Sequence, residues 1–257
     1  MSAADRVALV TGGSGGIGRG IAARLAAEGA TVAVAARRAE GCQETVRQIE
    51  AAGGRAEFTV LDVTGAEAVE GWVRDAAERV GRIDWLVNNA GMNGRSARLE
   101  DQSAAEFEVV VATNLLSTFY AVHAAIPIMR AQGGGAIVNI GSTASLQGYG
   151  LLSGYTASKH AVLGLTRSIA LENADIPIRA NCVCPGPVDT PLMRSIEVLV
   201  NPDDPAAARE LFAQTTAVKC YGTVEEIADV VHFLLSDAAA YVTGTAVSVD
   251  GGVMTGV

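Results

Sequence analysis

Short apolar runs rich in β-branched residues alternate with helical repeats along nearly all of this 257-residue chain, and that alternation leaves few folds open to it. Residues 7–10, 31–35, 56–61, 83–87, 136–140, 178–183 and 246–249 read as buried strands. Between them Ile17, Ile21 and Leu25, then Val69, Val73 and Val80, then Val162, Leu165 and Ile169 recur at helical spacing. Strand and helix in turn predict an α/β chain with a doubly wound, seven-stranded parallel sheet, right-handed crossovers and helices on both faces. A hydrophobic content of 49% fills a core on both sides of such a sheet, and no repeat or low-complexity tract interrupts it, so residues 1–257 read as a single domain. Prolines crowd one irregular stretch, and residues 187–222 within it read as a lid over the carboxyl ends of the strands, where open α/β sheets bind ligands.

The first strand runs into Thr11-Gly12-Gly13-Ser14-Gly15-Gly16-Ile17-Gly18, which opens a helix. Glycines in that context let the backbone approach a pyrophosphate that the helix N-terminus attracts. The fold is therefore expected to be a Rossmann fold, with Gly12, Ser14, Gly16, Ile17 and Gly18 at a dinucleotide. A phosphate loop of the kinase type is excluded on chemistry, because Arg19 and Gly20 follow Gly18 where Lys and Ser or Thr are needed. The second strand ends Ala35-Ala36-Arg37-Arg38, with no carboxylate for a ribose hydroxyl and two guanidinium forks suited to a 2′-phosphate. NADP(H) is favoured, with NAD(H) possible; the plainer reading of Arg37 and Arg38 is a solvated helix start.

Tyr155 and Lys159 stand four apart, so on a helix they share a face and an ammonium can favour ionisation of the phenol. Asn114 falls inside an apolar stripe of Phe107, Val110, Val111, Leu115, Thr118, Phe119 and Val122, where a buried amide must find partners. A formal charge of −9 argues against nucleic acid, whose phosphates call for a basic stripe. Cys42, Cys182, Cys184 and Cys220 are scattered as reduced, mostly buried thiols of a cytoplasmic protein are, and the histidines offer no cluster for a metal. The first six residues lack the order of a signal peptide. Residues 109–129 carry no charge over a length that could span a bilayer, yet Thr113, Asn114, Ser117, Thr118, Tyr120, His123 and Pro127 predict a helix buried against protein, not a membrane partner.

From Val7 to Gly252 the chain resembles the short-chain dehydrogenase/reductase family. Thr11 to Gly18, Asp62-Val63, Asn88-Asn89-Ala90-Gly91, Asn114, Ser142, Tyr155 with Lys159, and Pro185-Gly186 stand in that family's order. The resemblance implies Tyr155 as general acid in reduction and general base in oxidation, with Lys159 lowering its pKa and holding the nicotinamide ribose. It implies Ser142 as hydrogen-bond donor to the substrate oxygen and Asn114 as a holder of a water that relays protons from Lys159. Bringing a phenol from ~10 to ~7 takes about 4 kcal/mol, for which Lys159 and the charge of an oxidised nicotinamide are the expected sources. Ser145 and Ser158 compete with Ser142 by composition, but Ser142 alone follows the strand end in the family's register. The resemblance further implies Asp62 and Val63 beside the adenine, Asn89, Ala90 and Gly91 along the cofactor, and Pro185, Gly186, Val188 and Thr190 near the carboxamide and phosphates.

The expected activity is hydride transfer between NADP(H) and a small ketone or secondary alcohol. Substrate contacts are expected from residues 91–95, 147–152 and 192–200, with Gln147, Tyr149, Leu152 and Met193 joining Ser142 and Tyr155, and Arg95 as a further polar anchor. Reduction of a 3-oxoacyl chain on acyl carrier protein is the nearest alternative; Glu172 and Asp175 oppose an acidic carrier, whereas Arg130 suits one. A non-catalytic nucleotide sensor of the same fold is the alternative of another class, although such proteins often lose the tyrosine or lysine. Family members commonly form tetramers through the helices bearing Asn114 and Tyr155 and through the last strand, so a homotetramer is expected.

Overall fold

Strand β1 (Val7–Thr11) lies between β2 (Thr31–Ala36) and β4 (Trp85–Asn88), near the middle of the sheet in a computed structural model that describes residues 6–255. With β3 (Arg55–Val60), β5 (Gly135–Ile140), β6 (Ile178–Pro185) and β7 (Ala246–Val249), they form one parallel sheet in the order β3-β2-β1-β4-β5-β6-β7. Each observed strand overlaps its predicted one, but the expectation of burial fails for β3 and β7, which lie at the two edges of the sheet and hold no buried residue. Parallel neighbours need long crossovers, which helices supply here: α1 (Gly16–Ala27), α2 (Ala39–Ala51), α3 (Ala66–Val80), α4 (Ala104–Val111), α5 (Ser117–Gln132), α6 (Ser153–Glu172), α7 (Pro191–Val200), α8 (Pro205–Gln214) and α9 (Val224–Leu235).

Successive strand side chains point to opposite faces, and the core divides accordingly. Ala8 and Val10 pack with Ile21 and Leu25 of α1 and Val231 and Leu234 of α9. Val7 and Leu9 pack with Val69 and Val73 of α3, Met129 of α5 and Ile169 of α6. Burying each such aliphatic side chain contributes about 1.5–3 kcal/mol, which fixes the helices on both faces. Val80, expected inside, is exposed at the last position of α3, where Gly81 turns left-handed at φ 77°. Trp72 and Ala76 complete the buried face instead.

The stripe around Asn114 is not one continuous helix. Residues Ala112–Leu116 form a π turn between α4 and α5, and its extra residue rotates every later position by about 100°. Phe119, expected to be buried, is 45% exposed and stacks on His123 with ring centroids 5.6 Å apart. Residues 104–132 are the one helical stretch, among the described residues, long and apolar enough by length and composition to cross a membrane, and half of its apolar window is buried inside the protein.

The winding reverses between β1 and β4, the switch point at which ligands bind in such sheets. The glycine turn follows β1, residues 89–91 follow β4, Ser142 follows β5 and residues 186–190 follow β6, so all four segments meet at one edge.

Candidate active site

Gly12 and Gly16 take left-handed φ values of 70° and 53°, which glycine adopts without the strain of a Cβ. A Cβ on Gly12 would stand 2.7 Å from Asn89 Nδ2 and 2.9 Å from Ala90 Cα, so the turn and the end of β4 touch through bare backbone. Asn89 fixes that contact: its Nδ2 donates to the carbonyls of Thr11 at 3.0 Å and Gly12 at 3.2 Å. Thr11 Oγ1 accepts in return from the amides of Asn89 at 3.0 Å and Ala90 at 3.1 Å. The Asn89 side chain therefore shapes the cradle rather than reaching across it.

A second brace, not anticipated from the sequence, lies behind the turn. Arg19 donates through Nε to Thr45 Oγ1 at 2.9 Å and through Nη2 to the carbonyls of Ser14 at 2.9 Å and Gly41 at 3.2 Å. Thr45 is fully buried, with its hydroxyl 2.8 Å from the Gly13 carbonyl. Its one sequence signal is its place among the inward residues Cys42, Thr45 and Ile49 of α2. Arg37 and Arg38 are exposed at the start of α2, and neither enters an ion pair among the described residues. Asp62 accepts from the amide of Thr64 at 3.0 Å and its hydroxyl at 2.9 Å. Those two bonds, with Arg37 nearby, hold its carboxyl below the usual range. Val63 is buried beside it.

Tyr155 and Lys159 share a face of α6, with Nζ 5.7 Å from the phenol ring centroid. Lys159 is 4% exposed and donates to the Ile140 carbonyl at 2.7 Å; burial lowers its pKa to about 8. Burial also raises the pKa of Tyr155, and the opposing influence is the neighbouring Ser142 hydroxyl. Burial thus disfavours the charged form of each of these two groups. Ser142 caps the short turn Thr143–Ser145, its Oγ accepting from Ala144 N at 3.1 Å and its N donating to Ser145 Oγ at 3.2 Å.

Asn114, buried in the π turn, accepts at Oδ1 from Met92 N at 2.8 Å and donates to Met92 O and Ser158 Oγ, both at 2.9 Å. Ser158 passes the tie on by donating to the Tyr155 carbonyl at 2.7 Å. Both amide protons of Asn114 are committed to protein, so its side chain acts as a strut between the loop after β4 and α6. Cys182 and Cys184 lie with their Sγ atoms 3.9 Å apart, both buried, whereas Cys220 is exposed.

A family profile described as enoyl-(acyl carrier protein) reductase matches residues 12–254. Levodione reductase of Leifsonia aquatica is 43% identical over 250 residues, spanning 96% of this chain and 94% of the relative. A 3-oxoacyl-[acyl-carrier-protein] reductase of Thermotoga maritima is 34% identical, over 99% of this chain and 100% of its own. Crystal structures of NAD+-bound xylitol dehydrogenase (TM-score 0.93, 33% identity, 98% of this chain and 100% of that one) and of a variant actinorhodin polyketide ketoreductase with NADPH (TM-score 0.92, 37% identity, 96% and 97%) share the fold. The chain belongs to the short-chain dehydrogenase/reductase family. It is an oxidoreductase of that family acting between ketone and alcohol groups.

In this family member the remaining expected residues fall around the same edge. Leu152 and Tyr155 line a small cavity with Asn93, Gly94, Phe107 and Val110. Tyr149 Oη lies 2.8 Å from Thr143 Oγ1 and accepts from Gln147 Nε2 at 2.9 Å, so two expected substrate contacts bond each other. Arg95 sits at the exposed rim, 3.5 Å from Glu106. Pro185 ends β6, and Gly186 passes so near Asp250 that a Cβ would stand 2.8 Å from its Cα. Val188 is buried and bridges to Gly222. Thr190 caps α7 by accepting from Met193 N at 3.2 Å, and its methyl would lie 3.5 Å from a Cβ on Gly16.

Proposed function

We propose that the chain is an NADP(H)-dependent reductase of small ketones, running in reverse as a secondary-alcohol dehydrogenase. The observation that carries this reading is the buried face of α6: Tyr155 meets Ser142 on one side and has Lys159 behind its ring, at the edge that also holds the glycine turn. The cradle fits a dinucleotide, because Gly12, left-handed and without room for a Cβ, and left-handed Gly16 shape the turn that leads into the N-terminus of α1, where a pyrophosphate is favoured. A bound nicotinamide would supply the hydride in reduction and accept it in oxidation.

The chain's own residues manage the proton and the charge. Ser142 donates a hydrogen bond to the substrate oxygen and stabilises the negative charge growing there. Tyr155 delivers its hydroxyl proton to that oxygen, or removes it in the reverse direction. Lys159, held by the Ile140 carbonyl, is placed to stabilise the phenolate and grip the ribose, and needs added charge nearby to overcome burial. Asn114 fixes Met92 and Ser158, and through them the height of α6 at the site. Asp62, Val63, Asn89, Ala90, Gly91, Pro185, Gly186, Val188 and Thr190 line the path proposed for the cofactor.

NADPH preference rests on Arg37 and Arg38, neither of which closes an ion pair among the described residues although Asp62 lies near Arg37, and on Asp62, whose side chain is engaged by Thr64. Structural relatives carry either nucleotide. A small ketone is favoured over a carrier-bound acyl chain because Arg130 and Arg95, which could receive an acidic carrier, are paired with Asp175 and Glu106. Residues 187–222 are the proposed substrate lid on a single catalytic domain. The apolar residues Val109, Leu116 and Phe119 exposed around the π turn suit burial between copies in a homotetramer. Unpaired cysteines agree with a cytoplasmic enzyme, and a formal charge of −9 argues against nucleic acid as a partner.

The test is a ketone panel that includes acyl carrier protein thioesters, run with NADPH and NADH and followed by absorbance of the reduced nucleotide. Small ketones with NADPH should give the highest kcat/KM. Efficient, salt-sensitive turnover of the thioesters would reverse the substrate assignment, and nucleotide binding without turnover of any ketone would favour a sensor.

A further inference from the structure

Glu197 on α7 is a carboxylate only 5% exposed, for which the hydride transfer has no use. Its ionic partner among the described residues is Arg209 of α8, with Nη1 at 3.4 Å. The same guanidinium donates through Nη2 to Asp189 at 3.0 Å and lies over the ring of Tyr221, 4.3 Å from its centroid. The Tyr221 hydroxyl is buried without a well-formed hydrogen bond, and burial and neighbouring Glu197 both raise its pKa.

Asp189 stands between Val188 and Thr190, and its amide donates to the Gly222 carbonyl at 2.9 Å. Thr190 in turn lies against Gly16 of the glycine turn. One side chain therefore joins α7, α8 and the return at Tyr221 to the loop that touches the phosphate cradle. We propose that Arg209 is a positioning residue that fastens the lid to this loop, so that the grip on the nucleotide and the cover over the substrate are set together. The proposal rests on the reading of residues 187–222 as a lid over a nucleotide site. A planar fork that reaches two carboxylates while stacking on an aromatic ring is chemistry that lysine does not reproduce. Arg194 also reaches Asp189, at 2.6 Å, but it belongs to the first turns of α7 and does not connect that helix to α8.

The experiment measures NADPH affinity by fluorescence titration without ketone, then kcat and ketone KM at saturating nucleotide, in the full-length protein. Arg209→Met should weaken NADPH binding and raise ketone KM, each by roughly tenfold, with a much smaller change in kcat. Arg209→Lys should recover only part of either loss. A folded Arg209→Met protein with the parent's affinity and KM overturns the proposal. If Arg209→Met does not fold, Asp189→Asn weakens the loop end of the clamp, together with the Arg194 contact to the same carboxylate, and leaves Glu197 paired; unchanged NADPH affinity in that variant overturns it equally. A parent that binds neither NADPH nor NADH refutes the nucleotide reading itself, and the clamp with it. Where parent and variants bind equally, only the clamp falls.

Discussion

Replacing Lys159 with methionine isolates the energetic consequence of burying an ammonium at the site. The folded protein holds this group near a pKa of about 8, against 10.5 for an unperturbed lysine, so at neutral pH the charged form is disfavoured by about 3 kcal/mol. Below pH 8 folded and unfolded chains both carry the proton, and the parent bears the whole penalty. Between pH 8 and 10.5 the unfolded chain keeps a proton that the folded protein has released, so parental stability rises with pH. Lys159→Met has no such group. It also strands the Ile140 carbonyl at a cost of about 1–3 kcal/mol, but that loss does not vary with pH. Melting temperatures of parent and variant at about pH 7 and about pH 10 therefore test the reasoning, because titrating groups that do not interact with Lys159 cancel in the difference, and Cys182 and Cys184, which do, are replaced by serine in both proteins. Over that interval the parent should gain about 2–3 kcal/mol on the variant, or about 5–10 °C for a chain of this size. A difference independent of pH would refute the claim that burial sets the charge state of Lys159.

Four further substitutions probe other parts of the site and its assembly. Arg37→Asp should reduce NADPH affinity by about 10- to 100-fold and leave NADH affinity nearly unchanged, because it removes a charge-assisted phosphate contact; titration with both nucleotides checks it. Gly16→Ala should cost about 1–2 kcal/mol of stability from its left-handed backbone, since its Cβ would meet Thr190 only at 3.5 Å. Gly18→Ala should cost more and also abolish nucleotide binding, because its Cβ would collide with the Gly12 carbonyl and stand 2.5 Å from Asn89 Nδ2; unfolding and binding curves separate the two. Phe119→Asp should lower the oligomeric mass in sedimentation without unfolding the chain, since the ring is already exposed in the single subunit.

The sheet was legible in the sequence because its signals are local. Unbroken β-branched runs identify strands buried on both faces, and helical repeats such as Ile17, Ile21 and Leu25 identify the crossovers. Tyr155 and Lys159 were legible for the same reason, since one helical turn separates them. Phe119 was misplaced because a π turn changes the phase of a helix without leaving a mark on residue type. The effect of Lys159 on Tyr155 depends on how completely the fold strips water from both, which spacing does not encode. The Arg19 and Thr45 brace and the Arg209 clamp join residues brought together only by tertiary packing, so an arginine in either place reads as a surface charge.

The central claim is that the Tyr155 hydroxyl exchanges the proton that accompanies hydride transfer. Stopped-flow mixing of Tyr155→Phe, loaded with NADPH, against a ketone that the parent reduces tests it in a single turnover. The expected result is parental NADPH affinity and a transfer rate at least about 100-fold lower than the parent's. Transfer at the parent's rate would contradict it.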